Sequence, residues 1–164
     1  MEINGDYKLK APPELVWSKI MDREILEKAL PGCEKLLQIS PEEYEATLKI
    51  GVASIKGTYN GILRLTEVQK PFHYILSIEG GGTHSHLNGQ AVFDFEEFDA
   101  GNKLYTLVKY KGVVHIGGKL ADIGTRMLSP LAKLLIGNFF KSIEKQPYNQ
   151  DTLNKEAVNP GIQS

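Results

Sequence analysis

Ile3, Gly5, Tyr7 and Leu9 alternate with Glu2, Asn4, Asp6, Lys8 and Lys10 at the start of the chain. A period of two puts one set on each face of a half-buried strand. Ala11-Pro12-Pro13 stops that strand, because proline has no N–H to give to a sheet ladder. Pro13 suits the first turn of a helix, and Glu14 is favourable near the positive end of its dipole. Val16, Trp17, Ile20 and Met21 form the apolar stripe of that helix. Asp22 is placed to cap a second short helix carrying Ile25, Leu26, Ala29 and Leu30, which Pro31-Gly32 ends.

From Cys33 to Val114 the period stays at two. Cys33–Ile39 is followed by a tight turn at Ser40-Pro41-Glu42-Glu43. Tyr44, Ala46, Leu48, Ile50 and Val52 alternate next. After Ala53-Ser54 come Ile55, Gly57, Tyr59, Gly61, Leu63 and Leu65, and Lys70-Pro71 breaks that run. Tyr74, Leu76 and Ile78 open a further strand, with a turn expected at Gly80-Gly81-Gly82. Leu87 to Phe95, a turn at Asp99-Ala100-Gly101-Asn102, and Leu104 to Val114 complete the series. Seven strands joined mostly by short turns predict an antiparallel meander, with two helices inserted after the first strand. Gly57, Gly61, Gly89 and Gly112 fall at inward positions, where glycine marks a bend or a close approach. The expected fold class is therefore α+β with a strongly curved sheet.

After Gly117-Gly118 the period becomes helical, with Leu120, Ile123, Met127, Leu131, Leu134, Leu135, Phe139 and Ile143 recurring at three- and four-residue spacing. The spacing predicts one helix of about 40 Å reaching Gln146, kinked at Pro130. A domain over 1–146 and a polar, aperiodic tail over 147–164 follow.

Composition narrows the function. Of the 164 residues, 41% are hydrophobic and 24% charged, which is ordinary for a folded domain. Formal net charge is -1 and no Lys/Arg block stands out, so no nucleic-acid footprint is present. Cys33 is the one cysteine and cannot form an internal disulfide, which fits a reducing cytoplasm. The N-terminus lacks the basic and then apolar run of a signal peptide. No window approaches the roughly 20 apolar residues that span a bilayer. A soluble protein is expected.

Candidate chemistry is sparse. His84 and His86, two apart in a strand, would share a face and could start a metal pair, with His73 or His115 as a distant third ligand. Solvated imidazoles in a polar hairpin fit the same residues better, and no metal site is expected. Nothing beside Cys33 lowers its pKa, so it reads as a small core residue. No phosphate loop, dinucleotide fingerprint, zinc-protease helix or nucleophile elbow occurs, and no cofactor is expected. Asp122 and Arg126 are four apart and read as a surface pair. Arg126 could instead face a cavity mouth and hold a polar head group.

An apolar constellation remains. Tyr59, Leu63, Tyr74, Leu76, Phe93, Val108 and Tyr110 face inward opposite Leu120, Ile123, Met127, Leu131 and Leu135 of the helix. Gly57, Gly61, Gly89 and Ala91 sit among them, and their missing side chains would leave room for an apolar ligand. Tyr59, Tyr110 or Arg126 would orient its polar end. An enzyme of cyclase or hydrolase type would need an inward Asp, Glu or His, and these positions have none.

The segments APPELVWSKI, ALPGC, GVASIKGTYNG, HLNGQAVF and KYKGVVHIGGKLADIGTRML, in that order, resemble the G subunits of carbon monoxide dehydrogenase, a family of the START-like (SRPBCC) superfamily with the polyketide cyclases. The resemblance covers Met1 to about Lys145. It implies a helix-grip fold with a deep cavity between sheet and long helix. It also implies a non-catalytic accessory role beside the large subunits of a molybdenum-containing dehydrogenase, through membrane recruitment or quinone-linked electron delivery. Many proteins of that family carry a linker and a hydrophobic C-terminal anchor, and this chain ends at Ser164 with neither. Transient membrane contact through a portal near Leu26, Leu30 and Pro31 is expected instead. A protein-binding adaptor with a vestigial cavity is a further reading.

Overall fold

The alternation at the start of the chain forms strand β1, Glu2–Leu9, in a computed structural model that describes residues 1–51 and 55–148. Helix α1, Pro13–Met21, begins on Pro13, whose missing N–H costs nothing in a first turn. Helix α2, Arg23–Ala29, is capped by Asp22, whose carboxylate accepts from the backbone N–H groups of Glu24 at 3.0 Å and Ile25 at 3.1 Å. Six strands follow: β2 Cys33–Ser40, β3 Glu43–Ile50, β4 Gly57–Gln69, β5 His73–Gly82, β6 Ser85–Ala100 and β7 Lys103–Gly118. They pair as one antiparallel sheet in the order β1-β7-β6-β5-β4-β3-β2. The meander therefore ends by pairing back onto the first strand.

Three expectations are corrected. Gly80, Gly81 and Gly82 lie within β5, and the turn falls at Thr83-His84. A Cβ on Gly80 would stand 2.7 Å from the Cα of Gly61 across the ladder, so close strand approach requires the glycine. The expected single helix after Gly118 is two elements. Lys119–Ile123 is a 3₁₀ turn, and helix α3 is Thr125–Lys145, 21 residues or about 32 Å long. Gly124 separates them with φ at 85°, a left-handed value that breaks the helical period. Asp122 and Arg126 consequently stand on different elements, and their surface pair does not form. Val52 and the tail from 149 onward lie outside the described residues.

α3 lies against the concave face of the sheet, with Phe140 and Ile143 fully buried beside Leu9 and Val108. Two bonds tie its C-terminal end to the start of the chain. The Lys19 ammonium donates to the Glu144 carbonyl at 3.1 Å, and the Glu144 carboxylate accepts from the Lys10 N–H at 2.8 Å. The buried Thr106 hydroxyl donates to the Ala11 carbonyl at 2.7 Å, fixing the link from β1 to α1. At the far edge of the sheet, Leu36 of β2 donates its N–H to Glu27 of α2 at 3.1 Å. Its carbonyl accepts from Arg23 of the same helix at 3.1 Å. Leu37 and Ile39 on that strand are 46% and 54% exposed.

Candidate functional site

Curvature leaves space that the side chains do not fill. A cavity of about 410 Å³ lies between the concave sheet, α1, α2 and α3. That is within the size range of small-molecule sites. Residues of alternate positions on β3 to β7 form its floor, and one stripe of α3 forms its roof.

Of the residues singled out in the sequence, Tyr59, Leu63, Tyr74, Leu76, Phe93, Leu120, Leu131 and Leu135 stand on the cavity wall, as do Leu26, Leu30 and Pro31. Gly61, Gly89, Ala91, Val108, Tyr110, Ile123, Arg126 and Met127 do not, and the reasons are physical. A Cβ on Gly61 would sit 3.3 Å from the Glu79 carbonyl oxygen, and one on Gly89 would sit 3.0 Å from Val114. These glycines let strands approach closely, and the absent side chains are not what makes the void. Ala91 and Val108 belong to the closed core beside Phe140. The Tyr110 ring stacks on Phe93 at 5.7 Å and reaches across Gly5 toward Lys133, away from the cavity. Ile123 packs behind Leu120 and Leu128. Arg126 is exposed and Met127 is 62% exposed, because α3 starts at Thr125 and turns these two residues outward.

Other wall residues carry no cavity assignment in the sequence. Ile20 and Met21 come from α1, Leu48 and Ile50 from β3, and Leu87, Val114 and Ile116 from the long hairpin. Leu128, Ala132, Ile136, Phe139 and Phe140 complete the roof. The same alternation and helical spacing carried the signal for most of them.

The wall bears no charged side chain among the described residues, and its polar side chains are three tyrosines. Tyr59 donates its hydroxyl to the Ile55 carbonyl at 2.8 Å, so that group is committed. Tyr44 accepts from Gln38 at 3.5 Å. Tyr74 is 4% exposed and held among Phe93, Phe95 and Trp17, with ring centroids 5.1, 5.6 and 5.7 Å away. Its hydroxyl has no hydrogen-bond partner among the described residues. Among the described residues every fully sealed side-chain polar atom does have one, so this hydroxyl is not fully sealed, and its residue stands on the cavity wall. Burial pushes the Tyr74 phenol well above the ordinary tyrosine range, which keeps it protonated.

Outside the cavity, a polar hollow on the sheet is lined by Arg64, Ser77, Glu79, Asn88, Gln90 and His115. Burial raises the pKa of the Cys33 thiol, leaving little thiolate. His84 and His86 are exposed, and His73 pairs with Asp94 at 2.7 Å on the outer face. Among the described residues no three His, Cys, Asp or Glu come together as a metal site would require. Among the described residues no helix is long and apolar enough to cross a membrane.

A curved seven-stranded sheet gripping a long C-terminal helix, with two short helices after the first strand, defines a START-like protein of the helix-grip class. Solved structures agree on that fold. The Zhui aromatase/cyclase of Streptomyces sp. R1128 is 15% identical with a TM-score of 0.56, over 98% of each chain. The protein Ms6760 of Mycobacterium smegmatis is 15% identical with a TM-score of 0.64, over 87% of this chain and 88% of that one. A conserved protein of Geobacillus kaustophilus is much nearer, at 41% identity and a TM-score of 0.82 over 88% of this chain and 93% of that one. The CoxG family, the G subunits of carbon monoxide dehydrogenase, matches residues 5–147, and the chain belongs to it. No curated protein matches the sequence.

Proposed function

We propose that this protein binds an apolar small molecule, a lipid or a quinone-like compound, in the cavity between sheet and α3, without catalysing its conversion. The observation that carries this reading is a wall of hydrocarbon around about 410 Å³, with no charged side chain among the described residues. Transfer of hydrocarbon from water into such a space gains about 25 cal/mol per Å². Among the described residues the same wall offers no side-chain acid or base other than phenols, which argues against a cyclase or hydrolase. Family membership supports an accessory role beside a carbon monoxide type, molybdenum-containing dehydrogenase; in this reading that role is played in the cytosol. In this reading Leu26, Leu30 and Pro31 form the entry, and brief membrane contact there would load or unload the ligand.

Organic extraction of natively purified protein, followed by mass spectrometry, tests the proposal. A stoichiometric apolar compound is expected. A ligand held at 100 times its Kd adds about 2.7 kcal/mol, which raises Tm by about 5–11 °C. An extract without apolar species, together with no thermal shift on adding long-chain quinones or lipids, would sink the reading.

A further inference from the structure

We propose that the Tyr74 hydroxyl is the specificity-determining group of the cavity, selecting a hydrocarbon that carries a neutral hydrogen-bond acceptor. The inference rests on the binding reading above and adds to it the chemistry of the buried part of the ligand.

Three observations converge on this residue. Of the other two wall phenols, Tyr59 donates its proton to the Ile55 carbonyl, and the Tyr44 oxygen accepts from Gln38 at 3.5 Å. Of the three, the Tyr74 hydroxyl alone has no partner among the described residues, and it is not fully sealed although its residue lines the cavity. Its ring is also packed against three other aromatic rings. Phe93 stacks on one side, Trp17 and Phe95 close the others, and Phe93 is backed by Tyr110 and Phe140. A donor fixed before the ligand arrives loses little freedom on binding.

The surroundings decide what that donor prefers. A buried polar group without a partner is unfavourable, so an acceptor that reaches Tyr74 is favoured over a bare alkyl chain. No cationic side chain lines the wall among the described residues, and the Met1 ammonium beside it is engaged by the Val114 carbonyl at 2.8 Å, so an ionised carboxylate would enter without a side-chain counter-charge. A ketone, ester or similar neutral carbonyl on a long chain satisfies the hydroxyl and leaves no buried charge. The class is therefore a neutral carbonyl-bearing hydrocarbon, with its acceptor at the Tyr74 end beside Phe93 and its chain along Leu76, Leu131 and Leu135.

Competition against a neutral fluorescent probe, 1-aminoanthracene, tests this with three matched compounds: 2-tridecanone, tridecane and tridecanoate at pH 8. Wild type should favour the ketone over the alkane by about two- to tenfold, the value of one hydrogen bond. Tridecanoate should compete worst. Tyr74→Phe should keep its affinity for probe and alkane but lose the preference for the ketone. The infrared C=O stretch of bound ketone should move to lower frequency in wild type and return in the variant, a signature that a packing role for Tyr74 would not produce. An unchanged ketone-to-alkane ratio in Tyr74→Phe overturns the inference while the cavity reading stands. Wild-type protein that binds neither the probe nor any of the three compounds overturns both.

Discussion

Adding one methyl group at Gly112 should destabilise the sheet, and the structure gives the scale. Gly112 lies in β7 between Ile3 of β1 and Ala91 of β6. A Cβ built there would stand 2.6 Å from the Cβ and 2.8 Å from the Cα of Ala91. Carbon atoms pack at about 3.5–4.0 Å, so β6 and β7 must part by roughly 1 Å. The obstructing atoms include backbone, which cannot swing aside as a long side chain can. Overpacking of this kind costs about 1–3 kcal/mol, or a fall of about 2–12 °C in Tm for a chain of this size. Gly137 in α3 supplies the opposite case, because a Cβ there meets nothing within 4 Å. Gly137→Ala should gain about 0.5–1 kcal/mol from the stiffer unfolded chain and better helix propensity. Urea unfolding followed by circular dichroism reads both variants on one scale. If Gly112→Ala matched wild type while Gly137→Ala rose, close strand approach would not be the reason for Gly112.

Further outcomes are expected elsewhere. Ala132→Trp should fill the roof of the cavity and abolish the thermal shift caused by an apolar ligand, while the ligand-free protein still unfolds cooperatively in calorimetry. Thr106→Val leaves the buried Ala11 carbonyl without its donor and should cost about 1–3 kcal/mol by urea unfolding. Tyr74 has a folded-state pKa raised above its ordinary 10.0, so the unfolded chain loses that proton first. Stability is therefore unaffected by this group below pH 10 and falls as pH rises above it. Tyr74→Phe should show a shallower decline than wild type between pH 10 and 11. An identical slope would mean that the phenol is not buried as described.

Most of the fold was legible because its signals are local. Alternation at Ile3, Gly5, Tyr7 and Leu9, proline at position 13 and the Asp22 cap each act over a few residues, and each element forms where they place it. The glycines were ambiguous for a physical reason. Gly80, Gly81 and Gly82 have the composition of a turn, yet they serve backbone approach across the ladder, which depends on strands far away in sequence. Gly124 shows the converse, since helical spacing of apolar residues runs through it while its left-handed backbone stops the helix. For the cavity, period two assigns a face but not a depth. Tyr59 and Tyr110 share the concave face, yet one borders the void and the other is sealed over Gly5. Which phenol lacks a partner depends on Ile55, Gln38 and three aromatic rings, and no motif records that.

The Arg23 and Glu27 side chains bear on what happens between molecules. β2 is an outer strand, and its exposed Leu37 and Ile39 would make a sticky edge for another chain to extend the sheet. Leu36 presents the N–H and carbonyl that such an incoming strand would seek, and α2 already occupies both with a fork of opposite charges. One turn of helix thus imitates the hydrogen-bonding pattern of a neighbouring strand. Loss of Glu27 would re-open that template, and its effect would emerge as concentration-dependent fibre growth on storage more than as a lower melting temperature.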